Sequence, residues 1–208
     1  MSSSASAQIA ADYAEAAALL LRQIDLEAVQ RTLVRLRAVR DRGAWIYVTG
    51  NGGSSAIASH WVNDLGKATK RSGCPPLRVM SLNDNIAWLS ALANDEGYER
   101  VFSGQLENFA RPGDLLVVIS ASGNSPNVIR AVELAKSIGT FSVGLLGFDG
   151  GILKDQVDDC IWIPTQLGQY ELVEDMFSIL CHIMTLCLSQ DKPVPTRGRP
   201  RSTKALVA

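Results

Sequence analysis

The chain has 208 residues, 47% of them apolar, and a formal net charge of −1 from 20 basic and 21 acidic side chains. That length and apolar content supply one well-buried core but not two full domains. The near-neutral balance excludes a global electrostatic pull on nucleic acid or an anionic membrane.

The opening, MSSSASAQIAADYAEAAALLLRQ, has no basic n-region and sets Asp12 and Glu15 before a short apolar run. This argues against a signal peptide or a spanning segment and for a cytoplasmic protein. Leu26, Val29, Leu33, Leu36 and Val39 follow at helical spacing, with Gly43 just past them. The pattern predicts an N-terminal helical segment over 1–42, broken near Asp25.

Between Trp45 and Pro164 the pattern changes to short β-branched runs: WIYVTG, LRVMSL, DLLVVIS, FSVGLLG and CIWIP. Their near-continuous apolarity marks strands covered on both faces. The segments between them read as helices, notably SAIASHWVNDLGKATKR and PNVIRAVELAKSIG, the latter opened by Ser125 as cap and Pro126 at the first helical position. Strand and helix alternating in this way predict an α/β fold, a doubly wound parallel sheet, occupying 43–189.

After Pro164, TQLGQYELVEDMFSILCHIMTLCLSQ is apolar around nearly its whole circumference, which predicts a helix buried between subunits. The last stretch, 190–208, carries Lys192, Arg197, Arg199, Arg201 and Lys204 against Asp191, with three prolines, and reads as a disordered basic tail. Its Arg-Gly-Arg-Pro is too short a likeness to a minor-groove hook to imply DNA binding. Cys74, Cys160, Cys181 and Cys187 lack metal-type pairing and are expected to be free thiols.

GNGGSS, at Gly50 to Ser55, sits at a strand-to-helix turn. As a dinucleotide fingerprint it lacks the third glycine, and Asp84 is too distant to serve as the ribose acid; no lysine follows for a P-loop. No nucleotide cofactor is therefore expected. A second loop repeats the arrangement at Ser120, Ser122, Gly123, Asn124 and Ser125. Two such loops can converge on one phosphate monoester, held by hydroxyls and helix-opening N–H groups without a lysine. The competing reading makes these residues ordinary caps and turn formers.

His60 and Asp64 stand one turn apart, about 40° around the helix axis and roughly 6 Å along it, so both can address one substrate or ion. His182, Glu174 and Asp175 interrupt an apolar helix and need partners there. Trp61 and Trp88 could stack on a sugar, yet core packing is the commoner use.

Together, GNGGSS, His60 in SHWVNDL, ANDEGYERVFSGQLE, ISASGNSPNVIRAVELAK, GFDGG and VEDMFSILCH resemble the SIS (sugar isomerase) domain family, nearest its sedoheptulose 7-phosphate isomerase group, over residues 8–189. The resemblance implies a three-layer sandwich on a five-stranded sheet, assembled as a homotetramer with phosphosugar sites between subunits. Asn51, Gly52, Gly53, Ser54, Ser120, Ser122 and Ser125 fall on the phosphate-binding positions, and Asp95, Glu171 and Glu174 on polar site positions. Asp64 falls on the general base, a glutamate in the family, and His182 on the general acid. Glu174 replaces a metal-binding glutamine, and Phe177 a frequent histidine. His60, Asp64, Glu174 and His182 would make a zinc site if they converge, although Glu174 and His182 stand roughly 12 Å apart along a helix. The implied activity is aldose–ketose isomerisation of a sugar phosphate, most closely sedoheptulose 7-phosphate, through an enediol. The alternative is a non-catalytic SIS module that binds a phosphosugar or docks on a protein.

Overall fold

The structure, a computed structural model, describes residues 3–72 and 74–193, so all but the first few residues of the expected tail lie outside it. Two N-terminal helices form, α1 (Ser3–Arg22) and α2 (Leu26–Arg42). The break falls at Asp25, whose carboxylate accepts from the N–H groups of Glu27 and Ala28 and so satisfies two donors that open α2. Gly43, at φ 67°, closes α2 in the left-handed conformation.

The apolar runs become β1 (Trp45–Gly50), β2 (Arg78–Ser81), β3 (Leu115–Ser120), β4 (Phe141–Leu146) and β5 (Asp159–Trp162). Every pairing is parallel, in the order β2-β1-β3-β4-β5. The connecting helices are α3 (Gly52–Ala68), α4 (Ile86–Asp95), α5 (Ser103–Phe109), α6 (Pro126–Ile138) and α7 (Leu153–Gln156), and α8 (Tyr170–Ser189) follows β5. Successive strand residues point to opposite faces. Val48, Val117 and Ile119 accordingly share one core with residues of α2, α3 and α8, while Tyr47, Leu116 and Val118 share the other with α4, α5 and α6.

This order positions the site. β1 and β3 are neighbours, but α3 packs on one face of the sheet and α6 on the other. A crevice therefore opens outside the C-terminal ends of these two strands, where ligands bind in folds of this order.

By length and composition α8 could cross a membrane, but half of that stretch is buried by its own chain. Val173, Met176, Phe177, Leu180, Cys181 and Met184 lie in the core beside residues of α2 and α3, with Ala17 and Leu20 of α1 packed against it. Part of the apolar circumference is therefore covered within one protomer. Trp61 likewise is fully buried, and Trp88 meets Phe109 edge-on at 5.4 Å.

Asp191, expected in the tail, belongs to the body. Arg37 and Arg40 donate to its carboxylate at 2.9–3.0 Å. Burial pushes this carboxyl up, but the hydrogen bonds and charges of the two guanidinium groups together hold it below the usual carboxylate range. A pKa depressed in the folded state contributes stability above the unfolded value of about 3.9, and that stability is lost as pH falls through the folded value. Asp191→Asn should therefore lower the melting temperature at pH 7 and converge with the parent in acid. Equal melting temperatures at pH 7 would mean that the triad contributes nothing.

Candidate active site

Gly50 ends β1 where a Cβ would lie 2.7 Å from the carbonyl oxygen of Ile119, so only glycine lets the two strand ends approach this closely. Beyond it Asn51 opens α3 and Ser125 opens α6, and neither side chain makes a capping hydrogen bond to its own helix. The ordinary-cap reading fails at both positions. Asn51 instead pairs with Asn127 of α6, each amide donating to the other at 2.8–2.9 Å, while Tyr98 donates to Asn51 Oδ1 at 3.2 Å. This reciprocal pair ties the first turns of α3 and α6 together.

Between the two turns lies a cavity of about 290 Å³ lined by backbone and side chains of Asn51 to Ser54, by Ser120, Ser122 and Ser125, and by Tyr170 and Glu174. Ser120 Oγ accepts from the N–H of Gly123 at 3.0 Å, and Ser122 Oγ from that of Asn124 at 3.3 Å, which holds the second loop in a tight turn. Among the described residues no lysine or arginine lines the cavity. Its positive potential comes from two helix N-termini and from hydroxyl dipoles, a setting suited to a phosphate. A larger groove, about 540 Å³ and mostly apolar, lies at the β2 edge beside Trp88 and contains none of the sequence-predicted site residues.

The second cluster stands farther along the same helix pair. Nε2 of His60 and Nε2 of His182 are 3.0 Å apart, and Asp64 Oδ2 lies 3.4 Å from the first and 3.6 Å from the second. The two imidazoles are half exposed and meet edge to face, so the cluster is open to a ligand. Behind it the thiol of Cys181 is pushed up by burial and, secondarily, by the Asp64 charge, which makes it a packing group and not a nucleophile.

The expected set of four metal ligands divides. His60, Asp64 and His182 each offer a ligand atom within 4.8 Å of the others. Glu174 stands apart: its carboxylate lies over Gly53, where a Cβ would come within 2.3 Å of it. The reason is geometric. Glu174 adjoins Gly53 and His182 adjoins His60, so α3 and α8 run side by side, and steps of seven residues on α3 and eight on α8 separate the two ends by about 10–12 Å. Asp95 accepts from Asn94 at the end of α4, and neither it nor Glu171 lines the cavity. Asn127, Tyr98 and Tyr170 were missed by the sequence reading; an asparagine directly after Ser125-Pro126 carries no signal that separates a helix filler from a cross-loop tie.

A model of the SIS domain matches residues 12–147. A probable phosphoheptose isomerase of Thermoplasma volcanium is 38% identical over 157 residues, covering 75% of this chain and 79% of its own. The phosphoheptose isomerase of Cytophaga hutchinsonii is 36% identical over 180 residues, covering 85% and 93%. Among solved structures, the phosphoheptose isomerase of Neisseria gonorrhoeae superposes with a TM-score of 0.78 at 29% identity, over 88% of this chain and 97% of that one.

Proposed function

The chain belongs to the SIS domain family and groups there with phosphoheptose isomerases; on that premise we propose that it interconverts sedoheptulose 7-phosphate and D-glycero-D-manno-heptose 7-phosphate. One observation carries the reading: a cradle fit for phosphate and an acid–base cluster lie on one helix pair, about 10–12 Å apart. With single bonds of about 1.5 Å, a phosphate and a carbonyl at opposite ends of a heptose chain stand roughly that far apart. In a triose phosphate they fall well short.

The serine loops anchor the phosphate, and that remote binding orients the carbonyl end against the histidines. Asp64 removes a proton from C1 of the ketose while the C2 carbonyl oxygen is protonated, giving a cis-enediol. His182 moves protons between the two oxygens. Return of the proton to C2 then yields the aldose. Positioned acid–base groups of this kind typically contribute about 10²- to 10⁴-fold each.

Zinc fits the three-donor cluster. Donors of a tetrahedral zinc site with bonds of about 2.0–2.1 Å are themselves about 3.3 Å apart, and the observed separations are 3.0, 3.4 and 3.6 Å. His60, Asp64 and His182 would hold the ion, which when bound polarises a substrate oxygen.

A panel of ketose phosphates in deuterium oxide tests the reading. Solvent deuterium should enter the heptose phosphate. Tight binding with no exchange into any sugar would instead leave a non-catalytic phosphosugar-binding module.

We further propose a cytoplasmic homotetramer. The support is apolar surface left open on one protomer, with Ile9, Leu19 and Leu21 of α1 and Leu186 of α8 between 40% and 64% exposed. Light scattering should return four times the 22.4 kDa chain mass; a stable monomer at micromolar concentration would overturn the assembly.

A further inference from the structure

The cradle already faces an anion. Both carboxylate oxygens of Glu174 stand where a side chain on residue 53 would be, 2.3 and 2.4 Å from the position its Cβ would take. Gly53 lies in the opening turn of α3, whose N–H groups supply the positive potential of the site. Glu174 also lines the cavity shared by Ser54, Ser120, Ser122 and Ser125, and among the described residues no cationic side chain lines it to offset that charge. A carboxylate serving the histidine cluster would have to stand about two helical turns away.

A phosphate monoester carries roughly −1.5 to −2 charge at neutral pH. Entering the cradle, it meets a like charge a few ångströms away in a pocket partly closed to water, which is repulsive. Gln at this position would keep the shape without the charge.

Resting on the phosphate reading of the cradle, we propose that Glu174 is a specificity-determining residue, an internal anion that competes with phosphate for the first turn of α3. Its effect is selective. Inorganic phosphate and compact phosphates gain only the cradle and bear the full repulsion. A long sugar phosphate also gains contacts along the helix pair as far as His60 and His182, which offset it. Glu174 thus keeps the site from being filled by small phosphates.

Titration calorimetry of the full chain with inorganic phosphate, at fixed ionic strength, tests this. Glu174→Gln should tighten the phosphate Kd by about tenfold or more and narrow the selectivity for sedoheptulose 7-phosphate over inorganic phosphate. Glu174→Asp, which withdraws the carboxylate by one carbon, should tighten it in the same direction by less, and serves if the glutamine variant misfolds. Unchanged or weaker phosphate binding by both variants overturns the proposal while leaving the cradle intact. Absence of phosphate binding by parent and variants alike overturns it through its premise, and deuterium exchange then reports separately on the isomerase.

Discussion

Asp64→Asn should lower turnover by about 10²-fold or more with little change in substrate affinity. The amide keeps the volume and the neighbours of the carboxylate, including the donation from Asn63 to Oδ1 at 3.3 Å, but it cannot accept a carbon-bound proton. Affinity is spared because the proposed phosphate cradle lies at the other end of the helix pair, among residues that Asp64 does not touch. His182→Gln should behave alike. Because both residues also belong to the candidate metal group, zinc content is measured beside the kinetics: a variant that retains zinc and loses exchange has lost proton transfer and not the ion. Asp64→Glu adds a second readout. A longer acid on the same helix face restores a base, so turnover well above that of the asparagine variant is expected. Wild-type exchange rates in Asp64→Asn would place the base elsewhere.

What the sequence made legible follows from how local each feature is. The β-branched runs at 45–50 and 115–120 needed only their own apolarity to read as covered strands, and the two serine loops only their place between strand and helix. That the loops meet is a consequence of topology, since β1 and β3 are adjacent and their helices diverge. Asn127 was illegible because its partner is 76 residues away and nothing nearby marks it. The position of Glu174 was only partly legible for a related reason. Sequence spacing gives its distance from His182 along α8 but not the alignment of α8 with α3, and it is that alignment which sets the carboxylate over Gly53. The apolar circumference of α8 reads as burial, but one helix cannot reveal that α1 and α2 cover part of it. Asp191 shows the same limit at small scale: next to a basic, proline-rich stretch it looks like tail, and only the fold brings Arg37 and Arg40 to it.

Gly123→Ala should abolish measurable phosphate binding while leaving the histidine cluster in place. Gly123 sits at φ 63°, and a Cβ there would lie 1.9 Å from the carbonyl oxygen of Gly150, a backbone atom that cannot rotate away. The contact is built from both sides. Leu153 donates its N–H to the carbonyl of Gly123 at 3.0 Å, Ile152 donates to Asn124 Oδ1 at 3.0 Å, and a Cβ on Gly151 would in turn strike the carbonyl of Ser122. The GFDGG turn after β4 is therefore the support on which the second serine loop rests, and Gly151 is required there by close approach of backbone to backbone. An alanine must push the Ser122 loop off this support, breaking the Gly123 N–H bond to Ser120 Oγ. If the hydroxyls of Ser120 and Ser122 are lost to the phosphate, each at about 1.5–3 kcal/mol for a bond to a charged group, affinity falls by roughly 10²- to 10⁴-fold. Ser122→Ala and Ser125→Ala calibrate the result, since each should show only its own share with the loop undisturbed. A Gly123→Ala protein that binds phosphate as well as either serine variant would mean that the loop grips through its backbone alone, or that the phosphate sits elsewhere.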